Sequence, residues 1–166
     1  DPTAPAAPVV TSNSPVCSDN SLNLTTTALI GSTFSWTGPN SFSSLIQNPS
    51  VSPATTAATG WYTVSVMLNG HACFGSIYAV VDTTPEMPLT STNSPGPPGP
   101  TICEGDTLYL YSSSATAGSG YSWIGPNSFN STMQNPYIFP VTPVASGIYT
   151  VTVAVGACSV TAFVTA

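Results

Sequence analysis

Apolar and polar residues alternate with a period of two through several short stretches of this chain. Leu22/Leu24, Phe34/Trp36 and Tyr62/Val64/Val66 are interleaved with Asn, Ser and Thr in the first half. Leu108/Leu110, Tyr121/Trp123 and Tyr149/Val151/Val153 form the same kind of series in the second. This is the pattern of strands with one buried face. It predicts strands over 21–26, 33–37, 62–68 and 74–81, with Asn69-Gly70 as a tight turn between the last two. Gly38-Pro39-Asn40 and Asn48-Pro49 punctuate the middle. No stretch keeps the helical period for three turns. The expectation is an all-β protein.

The two series belong to a duplication. Trp36-Thr-Gly-Pro-Asn-Ser-Phe42, followed by Gln47-Asn48-Pro49, recurs 87 residues on as Trp123-Ile-Gly-Pro-Asn-Ser-Phe129 and Gln134-Asn135-Pro136. Gly60-Trp-Tyr62-Thr-Val64 recurs at the same offset as Gly147-Ile-Tyr149-Thr-Val151. A period this long is a small domain rather than a solenoid unit. The chain therefore reads as two domains: 1–81, with an extended N-terminal segment, and 82–166, with a leading linker. Cys17 and Cys73 are matched with Cys103 and Cys158, and Val81 with Ala166. Asp1-Pro2-Thr-Ala-Pro resembles the linker Asp82-Thr-Thr-Pro85, so copies are expected to join head to tail, as the domains do. With Asp1 first and no initiator methionine, a processed mature protein or an excised fragment is expected.

Charge narrows the functional classes. The 166 residues include no Lys or Arg against six acids, a net charge of −6. Such a surface cannot neutralise phosphates, which excludes nucleic-acid binding, nor is it drawn to anionic membranes. Solubility must come from Ser, Thr and Asn, an exterior suited to the outside of a cell. No apolar run reaches the length of a membrane span. Four cysteines, two per repeat, point to an oxidising compartment and a secreted, cell-surface location.

Residues that could carry chemistry are few. His71 follows the Asn69-Gly70 turn and has no counterpart in the second repeat. Glu104-Gly-Asp106 is the one close acid pair, short of the six or more oxygens of a calcium site. No catalytic, metal or cofactor site is expected, and no enzymatic activity. Trp61 alternates with inward-facing Tyr62 and should face solvent, where the second repeat has Ile148. The second repeat carries an insertion, Gly96–Thr101, with Pro97 and Pro98 at its centre. These positions, with Asp1, Pro2, Val9 and Val10, are the candidate contact residues. Asn23-Leu-Thr25 and Asn130-Ser-Thr132 fit the N-glycosylation pattern.

The core Trp followed by a late Gly-x-Tyr-x-Val-x-Val strand resembles immunoglobulin-like and PKD-like sandwiches. Asn-Ser-Pro-x-Cys, Trp-x-Gly-Pro-Asn-x-Phe, Gln-Asn-Pro and Gly-x-Tyr-Thr-Val resemble more closely the repeats of large Bacteroidota surface adhesins and gliding-associated proteins. The resemblance implies two tandem immunoglobulin-like β-sandwiches. In these, Trp36 and Trp123 lie in the cores and Tyr62 and Tyr149 form tyrosine corners. Val64 and Val151 stand where antibody domains place a cysteine. One disulfide per domain is expected instead, Cys17–Cys73 and Cys103–Cys158, each stabilising its domain by about 4 kcal/mol. Thr83 and Thr107 resemble O-glycosylation acceptors of the same bacterial group. The function implied is a structural subunit of a head-to-tail surface filament or a stalk module of an adhesin. The alternative is a glycan- or protein-binding surface module.

Overall fold

The computed structural model describes residues 7–94, 101–114 and 116–166. The chain divides into two compact units, Asp1–Thr83 and Thr84–Ala166. Each is a sandwich of two antiparallel sheets.

The first unit holds strands β1 (Val10–Ser12), β2 (Val16–Cys17), β3 (Leu22–Thr26), β4 (Thr33–Thr37), β5 (Ser43–Ser44), β6 (Ser50–Val51), β7 (Gly60–Leu68), β8 (His71–Ala79) and β9 (Val81–Asp82). One sheet has the order β1-β3-β6 and the other β5-β4-β7-β8, while β2 and β9 form a separate parallel pair. The second unit repeats this with β10 (Thr90–Thr92), β11 (Leu108–Ser112), β12 (Gly120–Ile124), β13 (Asn130–Ser131), β14 (Tyr137–Ile138), β15 (Ile148–Val155) and β16 (Cys158–Thr165). Its sheets are β10-β11-β14 and β13-β12-β15-β16. The four strands expected in each repeat are present. The two-residue strands β5, β6, β13 and β14 carry no signal in the sequence, because two residues cannot display a period.

The alternating residues meet in the cores. Leu22, Leu24, Trp36, Tyr62 and Val64 are fully or almost fully buried in the first unit, as are Leu108, Leu110, Trp123, Tyr149 and Val151 in the second. Trp36 lies opposite Val64 in the β4–β7 ladder, and Trp123 lies opposite Val151. Val64 and Val151 are thus buried apolar residues at positions where antibody domains carry a cysteine.

The repeated motifs are one interlocking cluster. Trp36 Nε1 donates to the Gln47 carbonyl at 3.2 Å. The Gln47 side chain donates to the Thr26 carbonyl at 2.8 Å, and Asn48 Oδ1 accepts from Thr26 N at 3.1 Å. The Gln-Asn pair thus satisfies both backbone groups of the last β3 residue, as a neighbouring strand would. The second unit repeats it: Trp123 to the Gln134 carbonyl, Gln134 to the Ser112 carbonyl, and Ser112 N to Asn135.

Gly-Pro-Asn-Ser-Phe forms the β4–β5 turn. Asn40 and Ser41 both have positive φ, 52° and 58°, and Phe42 N donates back to the Pro39 carbonyl. Phe42 then meets the Tyr62 ring edge-on at 5.4 Å. Gly38 is required because a Cβ there would come within 2.5 Å of the Tyr62 ring, and at Gly125 within 2.3 Å of Tyr149. Pro39 and Pro126 press in the same way on Gly60 and Gly147. Gly38→Ala or Gly125→Ala is expected to cost about 1–3 kcal/mol through overpacking, read as a lower midpoint in thermal unfolding.

Candidate functional site

Each tyrosine corner is built where the chain enters β7 or β15. The Tyr62 hydroxyl donates to the Ala58 carbonyl at 2.7 Å, presented by the 3-10 turn Thr56–Ala58. Tyr149 makes the same bond to Ala145 from the turn Pro143–Ala145. Burial raises the ionisation of both phenols above the ordinary value of 10.0. They are structural groups in the packed interior, not reactive ones.

The cysteines depart from the expected arrangement. Cys17 lies opposite Asp82 in the β2–β9 pair, while Cys73 pairs with Val66 near the start of β8. Nine residues of extended chain separate Cys73 from Asp82, about 30 Å at the strand rise. A disulfide needs Cα atoms within about 7 Å. In the second unit, Cys158 begins β16, whereas the neighbours of Cys103 lie beside Thr165 and Ala166 at the far end of that strand. The pairs Cys17–Cys73 and Cys103–Cys158 are therefore corrected: each would join opposite ends of one unit. Cys17 and Cys158 are disulfide-bonded, and Cys103 is an exposed free thiol.

Strand register also corrects the matching of the two last strands. Leu68 faces His71 across Asn69-Gly70, and Val155 faces Cys158 across Gly156-Ala157. Cys158 is thus the counterpart of His71 rather than Cys73. Gly60 pairs with Ala79, and Gly147 exchanges hydrogen bonds with Ala166, so Ala166 corresponds to Ala79 and not to Val81.

This register also locates the segment that closes one end of the first unit. There Val80, Val81 and Asp82 continue past Ala79 and cover one end of the sandwich. Val16 N donates to the Val80 carbonyl and Ser18 N to the Asp82 carbonyl. Ser14 Oγ holds both Val80 backbone groups, and Thr59 Oγ1 holds both of Val81. The Val81 side chain is buried in the core. In the second unit a groove of about 340 Å³ lies beside Thr165 and Ala166. Ser94 and Ser146, the counterparts of Ser14 and Thr59, line it, with Ile102, Leu108, Val141 and Ala166 as its apolar wall. Among the described residues no strand pairs with 101–103.

The other candidate positions are dispersed. Trp61 is 63% exposed and meets its cross-strand neighbour Tyr78 edge-on at 5.6 Å. Val9 is exposed, while Val10 packs partly against the core. Asp1, Pro2, Pro97 and Pro98 lie outside the described residues, as does most of the insertion, leaving Thr101 exposed beside the groove. His71 is exposed at the first position of β8. Asp106 accepts from Cys103 N at 3.0 Å, a local turn contact. No cluster of three potential metal ligands occurs among the described residues. Asn23 and Thr83 are exposed, Thr107 is half-buried, and Asn130 donates to the Ser128 carbonyl.

Sequence reading missed one group. Tyr109, Tyr111 and Tyr137 stand together on the outer face of the β10-β11-β14 sheet. Comparison of Leu108-Tyr-Leu-Tyr-Ser112 with Leu22-Asn-Leu-Thr-Thr26 carries the signal, since the buried leucines match and the outward residues do not.

No family model and no curated protein matches the sequence. Among solved structures the chain is similar to murine CEACAM1b, at 15% identity over 95% of this chain and 98% of that one, with a TM-score of 0.63. It is also similar to immunoglobulin domains 1–5 of Sidekick-1, at 12% identity over 99% of this chain and 39% of that one, with a TM-score of 0.53. The fold is immunoglobulin-like. At these identities the likeness concerns architecture alone.

The buried corner tyrosines make stability depend on pH in the alkaline range. Their folded ionisation lies above the unfolded value of 10.0. The contribution is intact below pH 10 and is lost as pH climbs toward the raised folded value. Urea unfolding of the native chain is expected to weaken above pH 10. Tyr62→Phe with Tyr149→Phe is expected to flatten that dependence, at a cost of about 1 kcal/mol per lost hydrogen bond.

Proposed function

We propose that this chain is a structural unit of an extracellular surface assembly, either a subunit of a head-to-tail filament or a stalk module of an adhesin. One observation supports the reading: Val80–Asp82, the segment that leads out of the first unit, completes one end of its sandwich, so the fold is closed by the chain that runs on to the next module. An extended segment of the next copy or module, laid along 101–103 with an aliphatic side chain in the groove of the second unit, would supply the same kind of hydrogen bonds. Association by strand addition of this kind derives affinity from backbone pairing and specificity from the pocket. A head-to-tail contact propagates into fibres wherever its rotation does not close a ring.

The hydroxyl-rich, cation-free surface and the disulfide-bonded cysteines fit an extracellular, cell-surface setting. So does the likeness of the repeated motifs to those of Bacteroidota adhesins. Glycans on Asn23, Asn130, Thr83 or Thr107 belong to the same proposal and would appear as added mass on the native protein. A second reading, a glycan- or protein-binding module, is favoured by the exposed Trp61–Tyr78 pair.

A synthetic peptide copying residues 80–85 tests the groove directly. It is expected to raise the unfolding midpoint of the wild-type chain and leave an Ile102→Asp variant unchanged. Electron microscopy of the native protein is expected to show fibres that this variant does not form. Dispersed particles together with an inert peptide would overturn the proposal.

A further inference from the structure

The duplication supplies an internal control for the outer face of the second unit. Three large aromatics stand there, Tyr109 and Tyr111 on β11 and Tyr137 on β14, and Phe139 follows two residues beyond Tyr137. All are well exposed, at 43%, 43%, 58% and 67% respectively. The counterparts in the first unit are Asn23, Thr25, Ser50 and Ser52. There the face is closed by hydroxyl contacts, Thr11 with Thr25 and Ser21 with Ser52. The two units share strand order, buried leucines and the motif cluster. The aromatics are therefore not required by the fold, and strand propensity alone does not account for all four.

The rings form a platform. Tyr109 and Tyr111 lie nearly parallel, 21° apart with centroids at 6.3 Å, and Tyr137 stands across the strand pair 6.2 Å from Tyr109. The spacing is of the order of one hexopyranose ring, and the rows run both along β11 and across to β14. Exposed Ser91, paired with Tyr111, and half-buried Thr107 border the platform with neutral hydroxyls.

We infer that Tyr109, Tyr111 and Tyr137 form a binding face for an uncharged polysaccharide. The electron-rich faces of the rings attract the weakly positive C–H face of a pyranose. The phenol and serine hydroxyls are placed to exchange hydrogen bonds with the sugar rim. Charge selects the ligand further: a chain with no Lys or Arg and a net charge of −6 offers nothing to sulfated or uronic-acid glycans. This inference deepens the second reading above by assigning the glycan to the tyrosine face instead of Trp61. It does not depend on head-to-tail assembly.

Affinity electrophoresis of the full chain through gels containing soluble β-glucan, xylan or mannan tests it, with alginate and heparin as anionic controls. Retardation by at least one neutral polysaccharide and by neither control is expected. The variant Y109N/Y111T/Y137S installs the residues the first unit already carries at these positions, so it should fold, as circular dichroism would check. It is expected to lose retardation more than tenfold, while Trp61→Ala retains it. Absence of retardation by every neutral polysaccharide would overturn the inference, as would wild-type binding by the triple variant. Loss of retardation in Trp61→Ala alone would return the site to Trp61. A triple variant that changes only the sedimentation of the protein would make the face a protein contact. Fibre formation by the triple variant reports separately on the groove.

Discussion

The two sheets of each unit are tied by a polar clamp that reaches from one sheet to the other. The indole of Trp36 or Trp123, carried on one sheet, donates to the backbone of a Gln whose side chain holds the end of β3 or β11 on the other. A buried indole N–H left unpaired would cost more than the bond itself contributes. The clamp therefore selects sheet arrangements in which Gln and Asn reach the strand end. The Gly-Pro-Asn-Ser-Phe turn, the glycines and the corner tyrosines then pack around this one geometry, which is why the motifs occur together in both repeats.

Much of this was legible in the residue pattern. Alternation at Leu22/Leu24 and Tyr62/Val64/Val66 locates the half-buried strands, because burial on one face is what enforces a period of two. The recurrence of Trp, Gly, Gln and Tyr marks the cluster, although nothing in the spacing says that Gly38 must be small because of a ring 24 residues later. Cysteine matching failed for a related reason. Aligning Ala72-Cys73 with Ala157-Cys158 follows identity, but the hairpins fix register through their two-residue turns, and these set Cys158 against His71.

The same two-residue displacement governs the candidate site. Once Ala166 is matched with Ala79, the groove of the second unit lies where the end of strand β16 meets 101–104. Ser94 and Ser146 become counterparts of residues that already hold a strand. The tyrosine face was legible too, but only by asking where the repeats disagree. Buried positions are constrained by packing in both copies, whereas outward positions of a strand are free to differ. Differences there carry functional information that the matching core cannot.

An aromatic face present on one of two otherwise similar units has a consequence for avidity. In an array of such chains, the face would recur once per copy, separated by a unit that lacks it. Ligation of one face would hold a long polymer near the next at a high effective concentration, provided the polymer spans the interval. Individually weak stacking contacts would then sum along the array. Retention would depend on the number of copies and the length of the polymer more steeply than on the strength of any one contact.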